Sequence, residues 1–261
     1  GAELLEIARK SNLNFLFEAS VGGGIPIIRP LNNSLTADEI TEIKGILNGT
    51  TNYILSKMTK EGLAFDEVLK DAQQKGYAER NPEADVEGYD ACRKIAILSS
   101  LAFGMQVDFE DIYTKGITDI TKEDIAYAKT LHSGIKLVGS SKKVDNNVYA
   151  MVAPVLIKED HPLMGVNDVF NAIFIHGNVL GDVMFYGQGA GKLPTASAVV
   201  ADVIDAAKHK GTNIMTIWSK EKLQLESFEN AKHKFFVRVS EAEEAKALEV
   251  FQSVKMVEAG V

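Results

Sequence analysis

The chain has 261 residues, 46% of them hydrophobic and 25% charged, enough to bury a sizeable core in one large or two smaller domains. Its formal charge of -8 argues against the clustered cations that a nucleic-acid partner requires, which leaves a small substrate as the expected ligand. The single cysteine, Cys92, excludes an intramolecular disulfide or a multi-cysteine metal site, as a reducing cytoplasm permits, and no stretch approaches the ~20 apolar residues of a membrane span.

Residues 2–11 read as a helix, with Leu4, Leu5 and Ala8 on one stripe. This opening resembles the middle of a domain, so the chain is expected to be part of a longer protein. Residues 14–20 read as a strand in which Phe15, Phe17 and Ala19 alternate, and they run into the glycine turn Val21-Gly22-Gly23-Gly24-Ile25-Pro26. A helix, a strand and a turn close an α/β unit. Thr36 and Glu39 have capping-box spacing, and residues 42–48 suit a strand as well as a helix. The strand is the expectation.

Residues 52–59 and 65–75 carry apolar side chains at helical spacing, the second run closed by Gly76. Residues 77–88 form a polar, acidic loop, and 89–103 resume a helix that ends at Gly104. Thr121 and Asp124 cap a further helix over 121–132. Residues 134–140, 148–157, 172–175 and 182–186 are rich in Val, Ile, Phe and Tyr between turn residues, which predicts a mixed or antiparallel sheet covered by helices. A strong helix is expected over 195–209. The tail, from residue 234, reads as a strand over 235–239 and then a helix.

Asp90 and Lys94 stand four apart on a helix, where their side chains can touch. On spacing alone this is an exposed ion pair worth only ~0.3 kcal/mol. Glu79, in the loop that leads into this helix, can converge on the same spot and give two carboxylates and one ammonium beside an apolar run, a set suited to an amino-acid ligand. His132, His161, His176, His209 and His233 lack zinc-site spacing. Cys92 has no paired base and reads as a packed small side chain.

The segment from Ala72 through Gly76-Tyr77, Pro82, Asp85 and Gly88-Tyr89-Asp90 to Lys94 resembles the signature of homoserine dehydrogenases. Three more stretches resemble the same family: Glu18-Ala-Ser-Val21-Gly-Gly23-Gly-Ile25-Pro26, Gly45-Ile-Leu-Asn-Gly-Thr50-Thr-Asn52, and Gly187-Gln-Gly-Ala-Gly191-Lys-Leu-Pro-Thr195. Together they run in one order through residue 215.

The resemblance implies an oxidoreductase that interconverts L-homoserine and L-aspartate 4-semialdehyde with NAD or NADP in threonine and methionine biosynthesis. It implies Lys94 as the proton-transferring residue and Asp90 as its partner at the substrate hydroxyl. Glu79, Thr50 and Tyr77 would approach the substrate, with Glu79 also at the cofactor. Gly191 would touch the cofactor at a helix start. Glu18 with the carbonyls of Val21, Gly23 and Ile25 would hold a sodium ion. The implied architecture is α+β or α/β. A remnant of a Rossmann-type domain, at residues 1–30 and 190–215, flanks a mixed-sheet catalytic and dimerisation domain at 31–189, and residues 230–261 start a small regulatory domain. A homodimer or homotetramer in the cytoplasm follows. No residues match the family's dinucleotide fingerprint, which leaves a second reading open: a silent module that binds an amino acid and dimerises.

Overall fold

The computed structural model of the protein describes residues 1–216, 218–251 and 253–257. In chain order the helices are α1 (Ala2–Lys10), α2 (Ile28–Asn33), α3 (Gly49–Glu61), α4 (Phe65–Gln74), α5 (Glu83–Val86), α6 (Tyr89–Phe103), α7 (Lys122–Thr130), α8 (Lys192–Lys208) and α9 (Glu244–Val250). The strands are β1 (Ile40–Ile46), β2 (Met105–Gln106), β3 (Tyr113–Thr114), β4 (Ser133–Val144), β5 (Asn147–Lys158), β6 (Phe170–Gly177), β7 (Gly181–Gln188) and β8 (Ser219–Lys222).

Six strands form one sheet in the order β3-β5-β4-β1-β6-β7, antiparallel except for the parallel pair of β3 and β5. The period-2 pattern dictates its two faces. Ile43, Leu137, Ile173 and Ile175 join Ile54, Leu55 and Met58 of α3 and Ile95 and Leu98 of α6 in the main core. Ile46, Val138, Ala172 and Phe174 belong to a smaller core that Leu163 and Val166 complete. Burying each such side chain stabilises the fold by ~1.5–3 kcal/mol, so the helices carrying the site are fixed to the sheet by hydrophobic packing.

The end of the sheet is closed by one buried amine. Lys136 of β4, 3% exposed, donates to Asn52 Oδ1 (3.1 Å), the Val166 carbonyl (2.6 Å) and Asn167 Oδ1 (3.2 Å). Burial pushes its ammonium down to about 8. Asn52 in turn donates to the carbonyls of Val166, Asp168 and Phe170, so the loop before β6 is fastened to the first turns of α3.

The helices α1, α3, α4, α6, α7 and α8 and the four long strands fall where the patterns place them, residues 42–48 resolve in favour of a strand, and α2 with the short strands β2, β3 and β8 was not expected. Four expectations need correction. Residues 14–20 form no strand. Residues 13–17 carry no regular secondary structure and pair with no strand among the described residues, and 18–20 form a 3-10 turn. Alternation was satisfied there, but a strand also needs a ladder. Instead Asn14 reaches across by side chain, donating to the carbonyls of His209 (3.3 Å) and Thr212 (3.1 Å) and accepting from Ile214 N (2.8 Å).

Residues 235–239 likewise carry no regular secondary structure and pair with no strand among the described residues, and the helix beyond them is confined to α9. Of that expected tail, residues 252 and 258–261 lie outside the described residues. The acidic loop over 77–88 contains a helical turn, α5, because the Pro82 carbonyl accepts from Asp85 N and Val86 N, both at 2.9 Å. Thr36 starts no helix; its hydroxyl donates to the Asn33 carbonyl at 3.2 Å, just past α2.

Candidate functional site

Where β1 ends, the chain turns directly into α3, and Asn48 makes that turn. Its Oδ1 accepts from Thr51 N at 2.9 Å, capping the helix, while its Nδ2 donates to Asp85 Oδ1 (2.7 Å) and Asp90 Oδ2 (2.9 Å). Asp90 sits in the first turn of α6, after Gly88, whose φ of 84° favours glycine. Lys94, one turn on, donates to Asp90 Oδ2 at 2.7 Å and to the Leu47 carbonyl at 3.0 Å. Helical spacing aligns the pair, and the crossing of α6 with the end of β1 fixes it in place.

A second pair with the same spacing shows what the crossing adds. Lys115 and Asp119 stand 3.4 Å apart with side chains 51% and 77% exposed, whereas Lys94 and Asp90 are 21% and 33% exposed. The first pair is a solvated contact of little energetic weight. The second is held by two further oxygen and amide partners in a half-buried setting, where charges act more strongly.

Asp85 is the member of this cluster that the sequence reading left without a role. Burial raises its carboxyl above the usual range, and the neighbouring Asp90 charge adds to the rise, against the hydrogen bond from Asn48. Two carboxylates thus face one ammonium. This excess of negative charge suits a ligand ammonium, and Lys94 is placed to pass a proton to or from a ligand oxygen. The signal available in the sequence was Asn48 at N-cap spacing before Gly49-Thr50-Thr51, since a capping amide has a second hydrogen-bonding end to satisfy.

The remaining candidates form a second group, Thr50 on α3 and Tyr77 and Glu79 on the loop after α4. The buried Thr50 donates its hydroxyl to the Tyr77 carbonyl at 2.6 Å, and the Tyr77 ring, 45% exposed, packs on buried Tyr53 with centroids 5.0 Å apart. Glu79 lies on the exposed loop that follows, its carbonyl accepting from Gln73 Nε2 at 3.1 Å. Among the described residues its carboxylate bonds to neither Asp90 nor Lys94, so two of the three charged groups meet directly and the third is two loop residues beyond Tyr77.

The two glycine stretches pack backbone to backbone. A Cβ on Gly23 would stand 2.4 Å from the Gly189 carbonyl oxygen, and one on Gly24 would stand 2.7 Å from Pro194. Gly191 precedes α8 with φ of 117° and no side-chain cap, leaving the amide groups of a long helix start open to an anion. Close by, Asn171 is 1% exposed and wedged under Gly189, with no hydrogen-bond partner for its amide among the described residues.

Glu18 has other work than an ion. Its carboxylate, 4% exposed, accepts from Ile27 N (2.6 Å), Ile28 N (2.8 Å) and Arg29 N (2.9 Å) and so caps α2. It does not fit the cation-ligand role expected of it, because both oxygens are committed to amide donors. Among the described residues no three His, Cys, Asp or Glu side chains gather as a metal site. No helix among them is long and apolar enough to cross a membrane.

Comparison with known proteins supplies the context. Residues 26–204 match the family model for homoserine dehydrogenase. The chain is 48% identical over 209 residues to homoserine dehydrogenase of Bacillus subtilis, covering 80% of this chain and 48% of that protein. With the enzyme of Synechocystis it shares 49% over 248 residues, 94% of this chain and 56% of that protein. It therefore spans about half the length of the curated relatives it matches. Among solved structures, a homoserine dehydrogenase from Thiobacillus denitrificans superposes with a TM-score of 0.80 at 41% identity, covering 85% of this chain and 54% of that one. A hyperthermophilic archaeal homoserine dehydrogenase in complex with NADPH gives 0.69 at 32% identity, covering 79% and 60%. With its mixed sheet, its helix-borne Asp90-Lys94 pair and these relatives, the chain belongs to the homoserine dehydrogenase family.

Proposed function

We propose that this chain carries the substrate-binding and proton-transferring half of an enzyme that interconverts L-homoserine and L-aspartate 4-semialdehyde, a step toward threonine and methionine. The observation that carries the reading is the bond between Lys94 and Asp90, 2.7 Å long and tied by Asn48 to Asp85 at the start of α3. NAD or NADP supplies the hydride chemistry when bound, and Gly191 at the open amino end of α8 fits a phosphate group of such a cofactor.

Lys94 Nζ gives a proton to the carbonyl oxygen during reduction and takes it from the hydroxyl in the reverse direction. Asp90 and the Leu47 carbonyl hold that amine at one place, so the proton does not have to be found by diffusion. Asp85 and Glu79 draw the substrate ammonium, Thr50 and Tyr77 border the amino-acid end, and Glu79 also reaches toward the cofactor. The Glu18 carboxylate already serves α2, so a sodium ion at Val21, Gly23 and Ile25 forms no part of the proposal.

The domain assignment follows the same reading. Residues 31–189 form the catalytic and dimerisation unit, and residues 1–30 with 190–215 belong to the nucleotide-binding unit. Residues 230–261 open a small further unit. The outer face of β7 presents Met184 and Tyr186, 39% and 52% exposed, which supports pairing of two sheets in a homodimer or homotetramer. Cytoplasmic work on a soluble metabolite accords with the lone cysteine.

The test is oxidation of L-homoserine by the protein at its full natural length, followed through the absorbance of reduced nicotinamide. Lys94→Ala is expected to lower kcat by about 10²–10⁴, the usual worth of a positioned acid-base group. An unchanged kcat would remove the assignment.

A further inference from the structure

A cluster on α3 and α4, outside the Asp90-Lys94 pair, bears on how the substrate loop is held. Tyr53 is 5% exposed, and its ring lies under Tyr77 at 5.0 Å between centroids and an angle of 58°. Its hydroxyl donates to Asp71 of α4 and accepts from Lys75 Nζ at 2.9 Å, while Lys75 pairs with Asp71 at 3.0 Å and Lys57 pairs with it at 3.4 Å. Three donors on one carboxylate push Asp71 down to about 2, and the same contacts raise Lys75. The phenol is therefore held at both of its hydrogen-bonding valences by charged partners, an arrangement far more restrictive than burial of a ring requires.

The loop above this phenol leaves α4 through Lys75 and Gly76, whose φ of 75° turns the chain back. Tyr77 N and Ala78 N then donate to the Ala72 carbonyl at 2.8 and 3.2 Å, and Thr50, three residues before Tyr53, holds the Tyr77 carbonyl. The loop backbone is pinned at two points. The Tyr53 ring, in turn, meets the Tyr77 side chain.

We propose that Tyr53, held by Asp71 and Lys75, is a positioning residue that sets the orientation of Tyr77 and of the loop carrying Glu79, and so governs affinity for the amino-acid end of the substrate. The inference rests on the proposed homoserine dehydrogenase reading for what that loop binds. The pair proposed for proton transfer stands on α6 and, among the described residues, shares no hydrogen bond or ion pair with this cluster, so the effect belongs in KM and not in kcat.

The experiment uses the protein at its full natural length with Tyr53→Phe, Asp71→Asn and the double variant. Tyr53→Phe keeps the ring and deletes only the anchor. Each single variant is expected to raise KM for L-homoserine about tenfold, the size of one hydrogen bond to a charged group, with kcat within about twofold. The double variant is expected to match the singles, because both cut one relay. Amide exchange at Tyr77 and Ala78 is expected to quicken in the same variants, with exchange in the core of α6 unchanged.

A wild-type protein that does not oxidise homoserine overturns the functional reading while the exchange data still decide the inference. Wild-type turnover with unaltered KM and unaltered loop exchange in Tyr53→Phe overturns the inference alone. Multiplying KM effects in the double variant also overturn it, since independent packing losses add in free energy.

Discussion

Helices α6 and α8 are similar in length and in apolar content, yet they live in different worlds. α6 buries Ala91, Cys92, Ile95, Ala96, Leu98 and Leu101 against the sheet, whereas α8 buries only Ala198 and leaves Leu193 83% and Val203 63% exposed. Periodicity predicts both helices equally well, because it reports the angle between apolar side chains. It says nothing about what covers the stripe. The candidate site belongs to α6 for a physical reason: the proton transfer proposed for Lys94 needs a backbone that does not drift, and close packing supplies it.

That difference can be broken first at its strongest point. Leu98→Ala removes a fully buried side chain from α6, one turn beyond Lys94 and within the main core. A loss of ~2–5 kcal/mol in unfolding free energy is expected, combining lost transfer energy with an unfilled cavity. Urea unfolding measures it. A loss below about 1 kcal/mol would mean that α6 is no better anchored than α8.

A smaller effect separates stability from function within the site. Asp85 has its carboxyl raised by burial beside Asp90, so the folded state binds that proton more tightly than the unfolded state does. The destabilisation is fully present above the folded pKa and fades as pH falls toward the unfolded value of 3.8. Asp85→Asn keeps an acceptor for Asn48 and removes the charge. It is expected to stabilise the protein at neutral pH by less than about 2 kcal/mol and to lose that advantage near pH 4, while KM for homoserine rises. Thermal melts at the two pH values, beside substrate titrations, distinguish this from a neutral surface change.

Most of the region that carries the candidate site was legible in the sequence because its local patterns and its packing agree. The caps at Gly76, Gly104 and Thr121 and the runs rich in Val, Ile, Phe and Tyr in β4 to β7 each named an element that the structure then contains. The pair of Asp90 and Lys94 was legible as a contact but not as a site, since an identical spacing at Lys115 and Asp119 makes only a solvated bridge. The role of Asp85 was signalled only by the capping position of Asn48, and Asn171 and the Tyr53 relay were not legible. Their partners lie 37 residues away for Asp85 and 18 for Tyr53, distances over which no periodicity carries information. In residues 13–17 the alternation was real and the ladder absent, so half of the condition for a strand was met.

The weakest expected effect comes from the other member of the pair of helices. Val203 of α8 is 63% exposed, and replacing it with lysine places a charge where the side chain already meets solvent. A long amphipathic side chain can lay its methylenes on the neighbouring apolar surface and keep its ammonium in water, and lysine is the better helix former of the two residues. Val203→Lys in the chain of these 261 residues is therefore expected to leave unfolding free energy within about 0.5 kcal/mol of the parent. The same substitution at Leu98 would bury an unpaired charge and abolish folding. Paired urea melts give the contrast in one experiment. A cost above about 2 kcal/mol at Val203 would show that the stripe on α8 is covered after all, and that the two helices differ less than their exposure implies.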